Sequence, residues 1–270
     1  MPIACEVMIE QAAPRPSWIP LLAVGLIGGL LSGAFGVGGG VIMVPLLLWL
    51  ARMDERQASA TSLSAVFPAS VVGAIGYLLH GQVDLLAAVA LAVGGIPGSL
   101  FGAWLVRRIH LSLLRWLFIA LLAAVAIRTL VAPDESIGHY HLGVVTFVLL
   151  VLVGIVTGIA SGLFGVGGGV IVVPALTLGF GFAPLVAKGT SLLMMIVSSG
   201  TGSVSHLRRG TIDLRSSAIV GIAAVVASYG GVLIALTMTS TVSQILFGLL
   251  LLTMVAQLTV RAIRLQSAHR

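Results

Sequence analysis

The chain has 270 residues, 59% of them hydrophobic and only 8% charged, with a formal net charge of +6 and a mean hydropathy of +1.17. A soluble domain carries roughly 25% charged residues, so the soluble classes are excluded and an integral membrane protein remains. The arginines lie between apolar runs, which ties the positive charge to membrane topology and not to nucleic acid; Cys5 is the single cysteine, so no intrachain disulfide, Cys/His metal site or other cofactor is expected.

Residues 1–17 include Glu6 and Glu10, lack a basic leader and read as a polar tail. Apolar segments follow at 18–50, 60–79, 85–106 and 111–131. The stretch "APDESIGHYH" at 132–141 is a polar link, and the apolar runs resume at 141–182, 189–207, 216–236 and 242–260 before a short tail at 262–270. Strand-like alternation is absent, so the spans are helices. A continuous helix over 18–50 would measure about 50 Å against about 30 Å of hydrocarbon. It contains "SGAFGVGGGVIMVP" (32–45), and "SGLFGVGGGVIVVP" recurs 129 residues later at 161–174. Thr61-Ser62-Leu63, Gly81, Asp84-Leu85, Ser99 and Gly102 all recur at the same offset, and about a third of positions 28–102 are identical to their partners. The chain is thus a duplication, with one repeat over 18–131 and the other over 142–261.

Charge gives the relative orientation. If each glycine-rich segment is a hairpin that starts and ends on one side, the second repeat is upside down relative to the first. Twelve of the fourteen basic residues then fall on the cytoplasmic side, leaving Arg128 and Lys188 outside with the acidic Asp134-Glu135 link. A single crossing would divide them about evenly. The positive-inside rule selects the hairpin and places both termini in the cytoplasm. The expected fold is an all-α integral membrane protein of two inverted-topology repeats, each a broken Gly-rich helical hairpin plus three transmembrane helices. A re-entrant hairpin and two full crossings both remain open; the shortness of 41–50 favours the former.

Broken backbone at membrane depth survives only where it is buried or lines a polar cavity. Inverted repeats with discontinuous helices are a design of secondary transporters, with substrate at the repeat interface. The candidate substrate site is therefore Gly36, Gly38, Gly39, Gly40 and Val41 with their copies Gly165, Gly167, Gly168, Gly169 and Val170, whose helix starts suit a small anion. The competing role of glycine is close helix packing, expected at Gly29/Gly33, Gly94/Gly98/Gly102 and Gly158/Gly162. Thr61, Ser62, Thr190 and Ser191 open equivalent segments, either as caps or as hydroxyl donors to an oxyanion. Lys188, the only lysine, either snorkels at the outer interface or attracts anions. His206 is a candidate for proton coupling or a structural histidine.

The duplicated "GLFGVGGGVIVVP" pattern, "AKGTSL" at 187–192 and "HLRRGTIDLR" at 206–215 resemble the sulfite exporter TauE/SafE family over residues 20–261. The resemblance implies a multi-pass protein of the plasma membrane that moves small sulfur-containing anions such as sulfite or sulfoacetate. The first repeat departs from the pattern, with "SATSL" for "KGTSL" and "YLLHGQVD" for "HLRRGTID". The expected function is a secondary transporter, an exporter of sulfite or organosulfonates working by alternating access; an anion channel of the same architecture is the alternative. An enzyme is not expected, because the eight acidic residues lie in tails, links or turns. The expected partners are the small anionic substrate, the lipid bilayer, a coupled proton and a second copy of the chain, with no nucleic acid.

Overall fold

The computed structural model describes residues 17–105, 111–131, 143–164, 167–208 and 213–267, and all regular structure among them is helical. The first half contains α1 (Trp18–Phe35), α2 (Gly40–Leu50), α3 (Glu55–Leu79), α4 (Leu85–Leu105) and α5 (Leu111–Val131). The second contains α6 (Val144–Phe164), α7 (Gly169–Pro174) with a π-helical continuation (Ala175–Gly179), α8 (Pro184–Arg208), α9 (Leu214–Thr237) and α10 (Ser240–Ser267). In both halves a long helix runs into the glycines and a short helix leaves them. The 11 residues of α2 extend only about 16 Å, half the hydrocarbon thickness.

Two helices begin earlier than hydropathy suggests. Asp54 caps α3 by accepting the Gln57 N–H at 2.6 Å, and Pro184 suits the first turn of α8, where its missing N–H has no helical partner to lose. Thr61-Ser62 and Thr190-Ser191 therefore lie inside their helices and cap neither. The turns into α4 and α9 are capped by Asp84, which accepts the Ala87 N–H at 2.8 Å, and by Asp213, which accepts the Arg215 N–H at 3.2 Å.

Among the described residues six helices are long and apolar enough to cross a membrane: α1, most of α3, α4, α6 and α10, and all of α9. Their outward faces carry exposed Leu26, Val89, Ile96, Val148, Leu152, Ile222 and Val226. That much apolar surface around a bundle is a lipid face, not one that water tolerates. α8 is absent from the set because Lys188 and its run of serines, threonines and glycines lower its hydropathy; it runs through the middle of the bundle against α3 and α4.

Glycine sets the closest contacts. A Cβ on Gly25, Gly29 or Gly33 would strike Val220, Ala224 or Ser228 in turn, so α1 and α9 run parallel at backbone contact. α4 and α6 do the same, Gly94, Gly98 and Gly102 facing Val151, Ile155 and Ile159 while Gly158 faces back onto Gly95. Without hydrophobic drive between helices in lipid, such close approach supplies the dispersion that holds them together. At the centre α3 and α8 cross antiparallel. Leu63 fills the space above Gly202, and Leu192 the space above Gly73. Those residues are two pairs at the 129-residue offset, so each half gives the same leucine to the same glycine of the other.

Candidate functional site

α1 ends at Phe35 because the next residues turn left-handed: φ is 69° at Gly36, 76° at Gly38 and 66° at Gly39, and 85° at both Gly167 and Gly168. For any other L-residue that conformation costs about 1–2 kcal/mol each. Gly40 and Gly169 then open α2 and α7, followed by buried Val41 and Val170. Gly39 O accepts the N–H of Ile42 and Met43 at 3.0 and 2.8 Å, so the N–H groups of Gly40 and Val41 precede the first helical bond and form its positive end. Gly165 lies outside the described residues.

The two breaks meet. A Cβ on Gly169 would come within 2.6 Å of the Gly36 carbonyl oxygen and 2.9 Å of Val37 Cα. On Gly38 or on Gly167 it would run into Cε of Met195, with Val66 Cγ1 at 3.3 and 3.6 Å respectively. Val66 and Met195 are themselves partners at the 129-residue offset, and each stands one residue from the middle of its 25-residue helix. The breaks therefore touch at mid-height of α3 and α8, closed around a thioether that is fully buried.

The hydroxyls divide by what they do with their single proton. Ser191 Oγ donates to the Gly36 carbonyl at 2.9 Å and Ser198 Oγ to the Gly167 carbonyl at 3.2 Å. Both satisfy carbonyls that the breaks release from helical bonding, and in this conformation neither has a proton left for a ligand. Ser62 Oγ is 3.5 Å from the Gly40 carbonyl, a weak contact. Thr190 Oγ1 accepts the Asp84 N–H at 3.0 Å and so fastens the α3–α4 turn to α8, away from the breaks. Thr61 Oγ1 and Ser32 Oγ are buried without hydrogen-bond partners among the described residues. Tyr77, which sequence reasoning passed over, donates its O–H to the Gly33 carbonyl at 2.8 Å.

Lys188 does not snorkel. It is 3% exposed, its Nζ donates to Ser243 Oγ at 2.6 Å, and it stands 5.6 Å from the centroid of the Phe35 ring. Its backbone packs against Gly36. A buried ionisable side chain among apolar helices is rare and points to a pathway or a partner, so burial of this one calls for a role. It lines a cavity of about 40 Å³ at the end of the bundle where α5 finishes and α8 and α10 begin. His206 lies in the last turn of α8, and its side chain is outside the described residues. Among the described residues no cluster of His, Cys, Asp or Glu could hold a metal.

The family model for sulfite exporter TauE/SafE matches residues 5–129 and 150–270. The chain belongs to the TauE/SafE family. Among TauE/SafE relatives, the probable membrane transporter protein YunE of Bacillus subtilis is 31% identical over 220 residues, covering 73% of this chain and 81% of its own. The probable membrane transporter protein MJ0441 of Methanocaldococcus jannaschii is 28% identical over 197 residues, 71% of this chain and 73% of its own. The sulfite exporter TauE/SafE family protein 1 of Arabidopsis thaliana is 34% identical over 95 residues, 35% of this chain and 21% of its own. No solved structure matches. With its lipid face and six candidate spans among the described residues, this TauE/SafE chain is a multi-pass membrane protein of a transporter family.

What the spacing of the sequence missed is what fills the meeting point. Met195 and Val66 belong to none of the motifs in the sequence. The signal available was that they occupy equivalent positions and differ, a thioether in one half and a β-branched side chain in the other.

Proposed function

We propose that this chain is a secondary transporter in the plasma membrane that exports small sulfur-containing anions, such as sulfite or organosulfonates of the sulfoacetate kind. It does so by alternating access around the meeting point of the two glycine breaks. The observation that carries the reading is that meeting: two stretches of non-helical backbone, one from each half, in contact around Met195. Backbone of that kind is costly in lipid and recurs where substrate is held between repeats.

The direction of the helices supports the inverted arrangement. α1 and α3 both run parallel to α9, α4 returns from α3 through a tight turn, and α6 runs parallel to α4. α6 is therefore antiparallel to α1, its equivalent. Rocking one half against the other would open the contact between the breaks to one side at a time, with both termini cytoplasmic. The chain carries out no covalent chemistry in this reading. The family description supports a sulfur oxyanion as cargo, and the relatives named as probable membrane transporters support transport itself.

The test is efflux of labelled sulfite and sulfoacetate from proteoliposomes. Saturable efflux with counterflow is expected. A folded protein that moves no sulfur oxyanion would sink the reading, and unitary currents without saturation would assign a channel instead.

A further inference from the structure

The buried ammonium of Lys188 has chemistry that the breaks do not use. One of its three N–H groups goes to Ser243 Oγ, and the Phe35 ring lies beside it. No carboxylate pairs with it among the described residues. Ser243 accepts from Lys188 and donates to no described residue, so its own proton can turn to a ligand, and Ser243 is 5% exposed. The ammonium and that hydroxyl thus form a pair of adjacent donors on the wall of one cavity. Two donors 2.6 Å apart suit two oxygens of one anion.

The duplication supplies a control within the molecule. At the offset of 129, Lys188 corresponds to Ser59, Ser243 to Leu114, Thr129 to Leu258 and Thr177 to Leu48. Three of those four counterparts are leucine, so the pairing of an ammonium with a hydroxyl belongs to the second half alone. Size narrows the ligand. A single water needs about 10–15 Å³ of such space, so about 40 Å³ takes roughly three waters or one anion of four heavy atoms. A sulfonate that also carries a carboxymethyl group is twice that.

We propose that the Lys188 cavity binds one small inorganic oxyanion of sulfite size, held by Lys188 Nζ and Ser243 Oγ–H. It lies beside the first break, since the Lys188 backbone touches Gly36. Its place as a side site next to the transport route rests on the transporter reading; the binding itself does not.

Sulfite and sulfoacetate are titrated calorimetrically into the full chain in nanodiscs, for wild type, Lys188→Met and Ser243→Leu. Wild type binds sulfite, and each variant binds it at least about tenfold more weakly, as loss of one charge-assisted hydrogen bond requires. Sulfoacetate shows no Lys188-dependent binding. Unchanged sulfite affinity in Lys188→Met overturns the proposal, and so does Lys188-dependent binding of sulfoacetate as tight as that of sulfite. A lowered melting temperature in Lys188→Met with sulfite affinity intact assigns the lysine to structure and overturns it too. Should Lys188→Met fail to fold, Ser243→Leu decides on the same criterion. Sulfite affinity is the same in phospholipid nanodiscs and in a phosphate-free glycoside detergent; a tenfold rise in the detergent would assign the cavity to a lipid phosphate and overturn the proposal. Binding without transport leaves the site and removes the transporter reading. Transport by Lys188→Met with an unchanged KM and unchanged sulfite affinity does the reverse.

Discussion

The Ser191 hydroxyl donates to the Gly36 carbonyl at 2.9 Å, reaching from α8 of the second half to the break of the first. It is the only proton Ser191 has, and it satisfies a buried carbonyl that no helix serves. Ser191→Ala leaves that carbonyl unpaired and lowers stability by about 1–3 kcal/mol, while Ser191→Thr keeps the donor and most of the stability. Ser62→Ala, which loses only a contact of 3.5 Å, costs less than about 1 kcal/mol. Thermal unfolding of the purified variants in detergent checks all three.

The breaks themselves answer to backbone geometry. Gly39 has φ 66° and a Cβ there would strike the Gly28 carbonyl; Gly168 has φ 85° and its Cβ would lie 3.3 Å from Thr157. Replacing either with leucine forces the chain out of the left-handed region. Transport is lost in both variants, and membrane insertion, which depends on the flanking apolar helices, is largely kept. Efflux assays scored against the amount of monodisperse protein separate the two. Full activity in both variants would reduce the breaks to a packing feature.

Met195 fills the contact between the breaks. Met195→Ala removes the side chain that abuts Gly38, Gly167 and Gly169, at a cost of about 2–5 kcal/mol for the cavity left behind. The widened contact shifts transport toward larger sulfonates relative to sulfite. Val66→Met adds a second thioether at the equivalent position and slows both. Competition between sulfite and sulfonates in the efflux assay measures the shift; unchanged selectivity in both variants would place the substrate elsewhere.

The helix interfaces give a contrast free of any functional reading. A Cβ at Gly98 would enter the backbone of Ile155, whereas one at Gly230 meets open space. Gly98→Leu separates α4 from α6 and yields little folded protein. Gly230→Ala is neutral or stabilising by up to about 1 kcal/mol from helix propensity. Size-exclusion profiles of the two variants decide.

Much of this molecule is legible in one dimension. Hydropathy and the scarcity of charge require a helical membrane protein, because water and lipid sort side chains irrespective of what they pack against. The offset of 129 residues displays the duplication as repeated letters, and the triple glycines mark the breaks, because left-handed backbone is a local property that only glycine meets cheaply. Gly94, Gly98 and Gly102 announce a close helix contact by spacing alone.

What the tertiary structure decided are the pairings. That Gly169 lies on Gly36, that Met195 fills the contact, and that Ser191 crosses from one half to the other depend on which helices become neighbours, and no local pattern encodes that. Thr190 shows the same limit from the other side: its sequence equivalence to Thr61 suggests one role for both, yet it holds the Asp84 turn while Thr61 has no partner among the described residues. Lys188 shows it most clearly. By sequence it stands at the edge of an apolar run and reads as an interfacial residue; only the arrival of Phe35, Gly36 and Ser243 from other helices encloses it. Composition and local backbone preference are carried by each residue alone, whereas burial and contact belong to pairs far apart in the chain.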